Sequence, residues 1–166
     1  MTQDLYILDS DKVYARSRIS ELEAEIQALG PEFYEVFNQS SETWHDNAPF
    51  DALRDRQSVL AAELDKLRTV LRNAAIGLPK QKKGTVGIGS TVTTTNLTTN
   101  KQLTYFIAGD WTPHVGNTHN GAITISRQSP IGSVLLGKKA GDTVTFKHPI
   151  RIDTVTTQPD NSNAFQ

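Results

Sequence analysis

The chain has 166 residues, 37% of them hydrophobic and 21% charged, which suits one medium domain or two small ones. It has no cysteine, which excludes disulfides, thiol chemistry and zinc-ribbon sites, and it has no apolar run near the roughly 20 residues that span a membrane. Net charge is −1, but residues 1–78 hold 8 Lys or Arg against 14 Asp or Glu, and residues 79–166 hold 9 against 4; the acidic half argues against duplex DNA as its partner. Two differently charged solvated surfaces would give this asymmetry. So would a dipolar molecule that presents its acidic end to a metal site or a basic channel. The start, MTQDLYILDSDK, has acids where a signal peptide would be basic, so a soluble, cytoplasmic protein is expected.

The first half reads as helix. Ile19, Leu22, Ile26, Leu29, Phe33 and Val36 are spaced 3, 4, 3, 4, 3, a heptad seam, and Ser10 and Asp11 offer an N-cap. Gly30-Pro31 interrupts the pattern while the seam stays in register, which predicts a kinked or restarted helix. A polar, acidic stretch follows at 40–51, SSETWHDNAPFD, with Trp44 in its middle. The second seam is Phe50, Leu53, Gln57, Leu60, Leu64, Leu67 and Leu71, polar only at Gln57. Asp46 or Asn47 can cap this helix, and Pro49 suits its first turn.

Two seamed helices with a short polar connection make an antiparallel coiled-coil hairpin with arms of about 25 residues, about 35–40 Å long. A narrow seam favours a free-standing hairpin in a monomer over one half of a bundle. The basic stretch GLPKQKKG, 77–84, is read as a solvated linker, with a nucleic-acid patch at Lys80, Lys82 and Lys83 as the alternative.

The second half reads as β. VTTTNL, QLTYFIAG, GAITIS, DTVTFKH and IRIDTVT alternate or are β-branched, and GDW and KAGD mark turns. Ser129, Pro130 and Gly137 bound one short helix, apolar on Ile131, Val134, Leu135 and Leu136. GTVGIG at 84–89 lacks the Lys-Ser/Thr pair of a phosphate loop. The expected organisation is α+β and multidomain: a hairpin at 1–78, a linker at 79–84, a small sheet domain with one short helix at 85–157, and a disordered tail at 158–166.

This order, with GSTVTTTNLTTNKQLTYFIAGD, SPIGSVLLGKKAGDTV and DNAPFDALRDRQ as anchors, resembles the Gre family of bacterial transcript-cleavage factors, GreA and GreB, over about residues 10–157. The resemblance implies an FKBP-like second domain that docks at the mouth of the secondary channel of RNA polymerase. Docking would fall to Ser129, Pro130, Ile131, Gly132, Lys138 and Lys139. The hairpin would reach down the channel to the nascent RNA 3′ end, and acidic tip residues would help hold a Mg²⁺ shared with the polymerase, which does the cutting. The chain would have no active site and no cofactor of its own. Fold alone gives no prolyl isomerase activity, and no deep aromatic pocket is legible.

The tip departs from the family pattern, which carries an Asp, two residues, then Glu before Asn-Ala. Anchored on Asn47-Ala48, Asp46 takes the Glu position and Thr43 the Asp position, with Glu42 one residue earlier. Trp44 and His45 fill the remainder. Three readings stay open: Glu42 and Asp46 together support cleavage; cleavage is lost and the factor competes for the channel or modulates pausing, with Trp44 stacking on a displaced base; or the chain is a non-transcriptional scaffold. Asp46 as a helix cap, Trp44 as a local cap on the hairpin end and His45 as a solvated loop residue are the plainer alternatives. His114 and His119, with Asp110, are read as surface loop in preference to a metal pair.

Overall fold

A computed structural model describes residues 4–39 and 48–157. It divides into two compact units. One is Val13–Arg72, and the other joins Met1–Lys12 to Asn73–Gln166. Among the described residues, no helix is long and apolar enough to cross a membrane.

The first unit is the hairpin. Helix α1 runs Asp9–Gln39 and helix α2 Ala48–Arg72. Ala15, Leu22 and Leu29, seven residues apart, are buried along α1, with Ile19, Ile26, Phe33 and Val36 half-buried beside them. Leu60, Leu64, Leu67 and Val70 are buried on α2, and Gln57 is exposed. Ion pairs Arg18–Glu63 (3.0 Å), Glu23–Arg68 (2.6 Å) and Glu32–Arg56 (3.7 Å) join the helices. The rings of Phe33 and Phe50 meet edge to face with centroids 5.5 Å apart. Residues 18–23 of α1 thus pair with 63–68 of α2, while residues 32–33 pair with 50–56, so the first half of α1 lies against the last half of α2 and the pair is antiparallel.

Two local expectations are corrected. α1 begins at Asp9, so Ser10 and Asp11 lie inside its first turn, where acids favour the positive end of the helix dipole, and do not cap it. α1 also continues through Pro31 without restarting. Pro31 and Gly30 are exposed, so solvent can satisfy the carbonyl that loses its N–H partner.

The second unit is built on a mixed six-stranded sheet: β1 Ser90–Asn96, β2 Gln102–Ala108, β3 Thr118–His119, β4 Ala122–Ser126, β5 Thr143–Phe146 and β6 His148–Thr157. The order is β3-β4-β2-β1-β6-β5, with β2 and β4 parallel and the other neighbours antiparallel. Ser90, Val92 and Thr94 are buried in alternation, as a strand with one covered face requires. The β1–β2 turn is held by Asn96, whose Oδ1 accepts from Thr98 N–H (2.9 Å) and Thr99 N–H (3.1 Å). Helix α3, Pro130–Leu135, packs Ile131 and Leu135 into a core with Val86, Val92, Ile107, Ile125, Val144, Ile150 and Ile152. Full burial of one such Leu or Ile stabilises by about 1.5–3 kcal/mol.

The boundaries differ from a hairpin ending at 1 and 78. Leu5 N–H donates to Asn73 O and Ala75 N–H to Leu5 O, both at 2.8 Å, as a parallel bridge. Tyr6 and Asp110 then exchange two bonds at 2.7 Å, Tyr6 N–H to the carboxylate and Asp110 N–H to Tyr6 O. A Cβ at Gly109 would collide with Tyr6 O, so only glycine lets this segment lie so close. Leu8 packs with Ile88 and Ala108. Residues 79–84 are not free linker either: the Gln81 amide donates to Ile88 O at 2.8 Å, and Thr85 N–H donates to Lys82 O at 3.1 Å. The tail at 158–166 lies outside the described residues.

Candidate functional site: tip and docking face

The tip residues Glu42, Thr43, Trp44, His45, Asp46 and Asn47 lie outside the described residues. What frames them is described. α1 ends at Gln39, and α2 opens at Ala48 with Pro49 in its first turn, where a missing N–H costs nothing. Asp51 and Asp55 face solvent, and Asp51 pairs with Arg54 at 3.2 Å. Tyr34 and Phe37, in the last turns of α1, are 71% and 70% exposed.

The expected docking residues separate into those that build α3 and those that it displays. Ser129 caps the helix: its hydroxyl accepts from Gly132 N–H at 3.0 Å and donates to Ser126 O at 2.7 Å. Ile131 and Gly132 are buried, and a Cβ at Gly132 would strike Ser126 O. Ser129, half-buried, and the buried Ile131 and Gly132 thus each have a role in building the helix. Pro130, Lys138 and Lys139 are exposed.

The loop that carries the lysines is held at several points. Gly137, at φ 72°, donates to Val86 O at 2.9 Å, and Val86 N–H donates to Lys138 O at 2.8 Å. Thr85 and Lys139 form an antiparallel bridge, and Asp142 Oδ2 accepts from Lys139 N–H at 2.8 Å. Beside the loop lies a shallow polar recess of about 430 Å³, lined by Ser133, Lys138, Thr143 and Thr145 among others. The arrangement offers two exposed lysine side chains on a fixed backbone next to hydroxyl groups, a surface suited to an acidic partner.

His114 and His119 form no metal centre with Asp110. His119 belongs to β3, opposite Ala122, and the Asp110 carboxylate is taken by Tyr6 N–H, Arg127 Nε and the Gln128 amide. The described residues contain no group of three or more His, Asp or Glu able to hold a metal. Sequence reasoning did not single out Tyr6, Arg127 or Thr112. The one available signal for the first was the apolar run LYIL ahead of α1.

Asp11 is the unusual carboxyl group. It is 2% exposed, accepts from the Thr112 hydroxyl at 3.2 Å, and leaves Oδ2 without a hydrogen bond among the described residues. Burial raises its pKa from 3.8 to about 6, against the opposing pull of the Thr112 bond. Asp153 is shifted down instead, by the Thr95 hydroxyl and then Arg151.

Residues 80–156 match the family model described as transcription elongation factor, GreA/GreB, C-term. Transcription elongation factor GreA of Rhodospirillum rubrum is 35% identical over 105 residues, covering 63% of this chain and 64% of that one. That of Macrococcus caseolyticus is 36% identical over 106 residues, 63% of each. The chain thus spans just under two thirds of the length of these curated relatives. Among solved structures, GreA factor homolog 1 of Thermus thermophilus aligns with 93% of this chain and 99% of its own, at TM-score 0.42 and 20% identity. GreA/GreB from Nitrosomonas europaea aligns with 61% of this chain and 90% of its own, at TM-score 0.37 and 22% identity.

Proposed function

We propose that the chain, whose residues 80–156 match the GreA/GreB C-terminal family model, is a GreA/GreB-type transcription elongation factor that binds bacterial RNA polymerase and stimulates cleavage of backtracked RNA by the polymerase's own active site. The observation that carries the reading is a GreA/GreB C-terminal domain at 80–156 preceded by an antiparallel two-helix hairpin whose connecting segment holds Glu42 and Asp46. The exposed Pro130, Lys138 and Lys139 serve as docking contacts on the polymerase. The hairpin enters the secondary channel tip first.

Two-metal phosphoryl chemistry needs hard oxygen ligands and an activated water. Carboxylates at Glu42 and Asp46 fit Mg²⁺ by oxygen type. Two side chains are too few for an octahedral ion, so polymerase and the RNA phosphate complete the set. The factor lends ligands and performs no chemistry alone. It works in the cytoplasm as a monomer.

A second reading has its own observation. Thr43 stands where the family carries an Asp, and Trp44 follows it. A tip short of one acid would occupy the channel without helping cleavage and would act as a competitor or pause modulator.

RNA cleavage in a purified, backtracked elongation complex separates the two. If the chain accelerates cleavage in Mg²⁺, Asp46→Ala and Glu42→Ala abolish the acceleration. A wild-type chain that leaves cleavage unchanged, or slows it in the presence of an active Gre factor, overturns the first reading in favour of the second.

A further inference from the structure

A cleft of about 360 Å³ opens on the sheet unit, between residues 79–82, residues 85–88, Arg127 and the end of α3 at Leu136–Gly137. Neither the tip nor the docking lysines 138 and 139 use it. Its lining includes three cations, Lys80, Lys82 and Arg127, and no acid. Lys80 and Lys82 are exposed and have no carboxylate partner among the described residues.

Arg127 is held before any ligand arrives. Its Nε donates to Asp110 Oδ1, a side chain only 1% exposed, and its guanidinium lies 4.9 Å from the centroid of the Tyr6 ring. Asp110 is itself fixed, by Tyr6 N–H at 2.7 Å on Oδ2 and the Gln128 amide at 2.6 Å on Oδ1. The two terminal guanidinium nitrogens make no hydrogen bond among the described residues. A stacked, tethered arginine loses little rotamer freedom on binding, and its planar fork matches two phosphate oxygens.

The opposite wall is also fixed. Gln81, between the two lysines, donates to Ile88 O at 2.8 Å, and its side chain covers Gly87 so closely that a Cβ there would overlap it. The lysine-bearing segment is therefore pinned, and its two ammonium groups remain for a ligand. The volume lies at the small end of ligand pockets, roughly 300–1,000 Å³. It takes a small ester of phosphate and excludes a duplex.

We propose that this cleft binds the phosphates of a nucleoside di- or triphosphate, with Arg127 as the bidentate contact, Lys80 and Lys82 on the facing wall and Asp110 as the positioning residue. The same chemistry can come from a free nucleotide or from the 5′-triphosphate end of an RNA, and the test distinguishes them.

The full chain is titrated at low salt with pyrophosphate, with GTP, and with a short RNA bearing either a 5′-triphosphate or a 5′-hydroxyl. Calorimetry gives affinity, and amide shifts give location. Pyrophosphate should shift the amides of Gly87, Ile88 and Gly137, and Arg127→Gln should weaken it by about tenfold, as loss of a charged hydrogen-bond pair does. The double variant Lys80→Gln/Lys82→Gln, confined to exposed side chains, should weaken it by a similar factor and keeps the test valid if Arg127→Gln disturbs folding. Lys101→Gln should change nothing. GTP binding in the cleft assigns the free nucleotide; a response only to triphosphorylated RNA assigns the RNA end. No binding up to about 10 mM pyrophosphate, equal binding of 5′-hydroxyl RNA, or affinity unchanged in the lysine double variant overturns the proposal.

Discussion

In the hairpin, every described buried side chain falls between Ala15 and Leu29 or between Leu60 and Val70; in the sheet unit, buried side chains run from Ile7 to Ile152 and enclose α3. The difference is geometric. Two helices bury one stripe each and share a seam, and Phe33, Val36, Phe50 and Leu53 at the tip end are only half covered. A sheet with a helix on it closes a core several side chains wide. The hairpin therefore relies on contacts along a line and on ion pairs across it, and opening from the tip end is its lowest-energy excursion.

The sharpest way to break the comparison uses two glycines. Gly109→Ala forces a Cβ onto Tyr6 O, a backbone atom that cannot turn aside, and should destabilise by about 3 kcal/mol or more in urea unfolding. Gly30→Ala meets nothing within 4 Å inside an α-helix and should stabilise by up to about 1 kcal/mol. Equal effects of the two would refute the division into a tightly fitted unit and a loosely fitted one.

Next come two positions on one seam. Leu22→Ala, at a fully buried site, should cost about 3 kcal/mol. Phe33→Ala, half-buried nearer the tip, should cost less and should raise amide exchange only in the tip-end turns. If Phe33→Ala speeds exchange as far as Ala15, the seam behaves as a single cooperative block.

A third test concerns pH in the sheet unit. Folded Asp11 holds its proton up to about pH 6, whereas the unfolded group releases it near 3.8. Between these values the folded state binds the extra proton. The contribution of Asp11 is thus most favourable below pH 3.8, and stability falls as pH rises towards 6. Asp11→Asn should flatten that slope and raise stability at pH 7 by on the order of 2 kcal/mol, seen as Tm against pH. A lower Tm for the variant at pH 7 would mean that the charged form has favourable partners outweighing its burial.

Much of the architecture was legible because it is periodic. The 3, 4 spacing located both helices, and alternation located β1, β2, β4, β5 and β6. β3 is two residues long and has no period to detect. Residues 4–8 were missed because their role depends on Gly109 and Asp110, about a hundred positions away, and sequence spacing carries no such pairing. At Pro31 the unbroken heptad register already carried the seam across the proline, and α1 runs through it as one helix, which removes the restart. At α3, Ser129, Pro130 and Gly137 bounded the helix in the sequence, but only packing separates buried Ile131 and Gly132 from exposed Pro130. The tip chemistry rests on a resemblance at Asn47-Ala48 and on the acids beside it.

The chain leaves the sheet unit after Lys12 and rejoins it at Asn73, and pairing of Leu5 with Asn73 and Ala75 secures both crossings. The hairpin is thus an excursion whose length is set independently of the unit that holds its ends. Removing or adding seven residues in each arm would keep the seam facing inward and would change the reach by about 10 Å. Such a hairpin is a rod whose length can be changed in steps of one heptad per arm without altering the unit that anchors it.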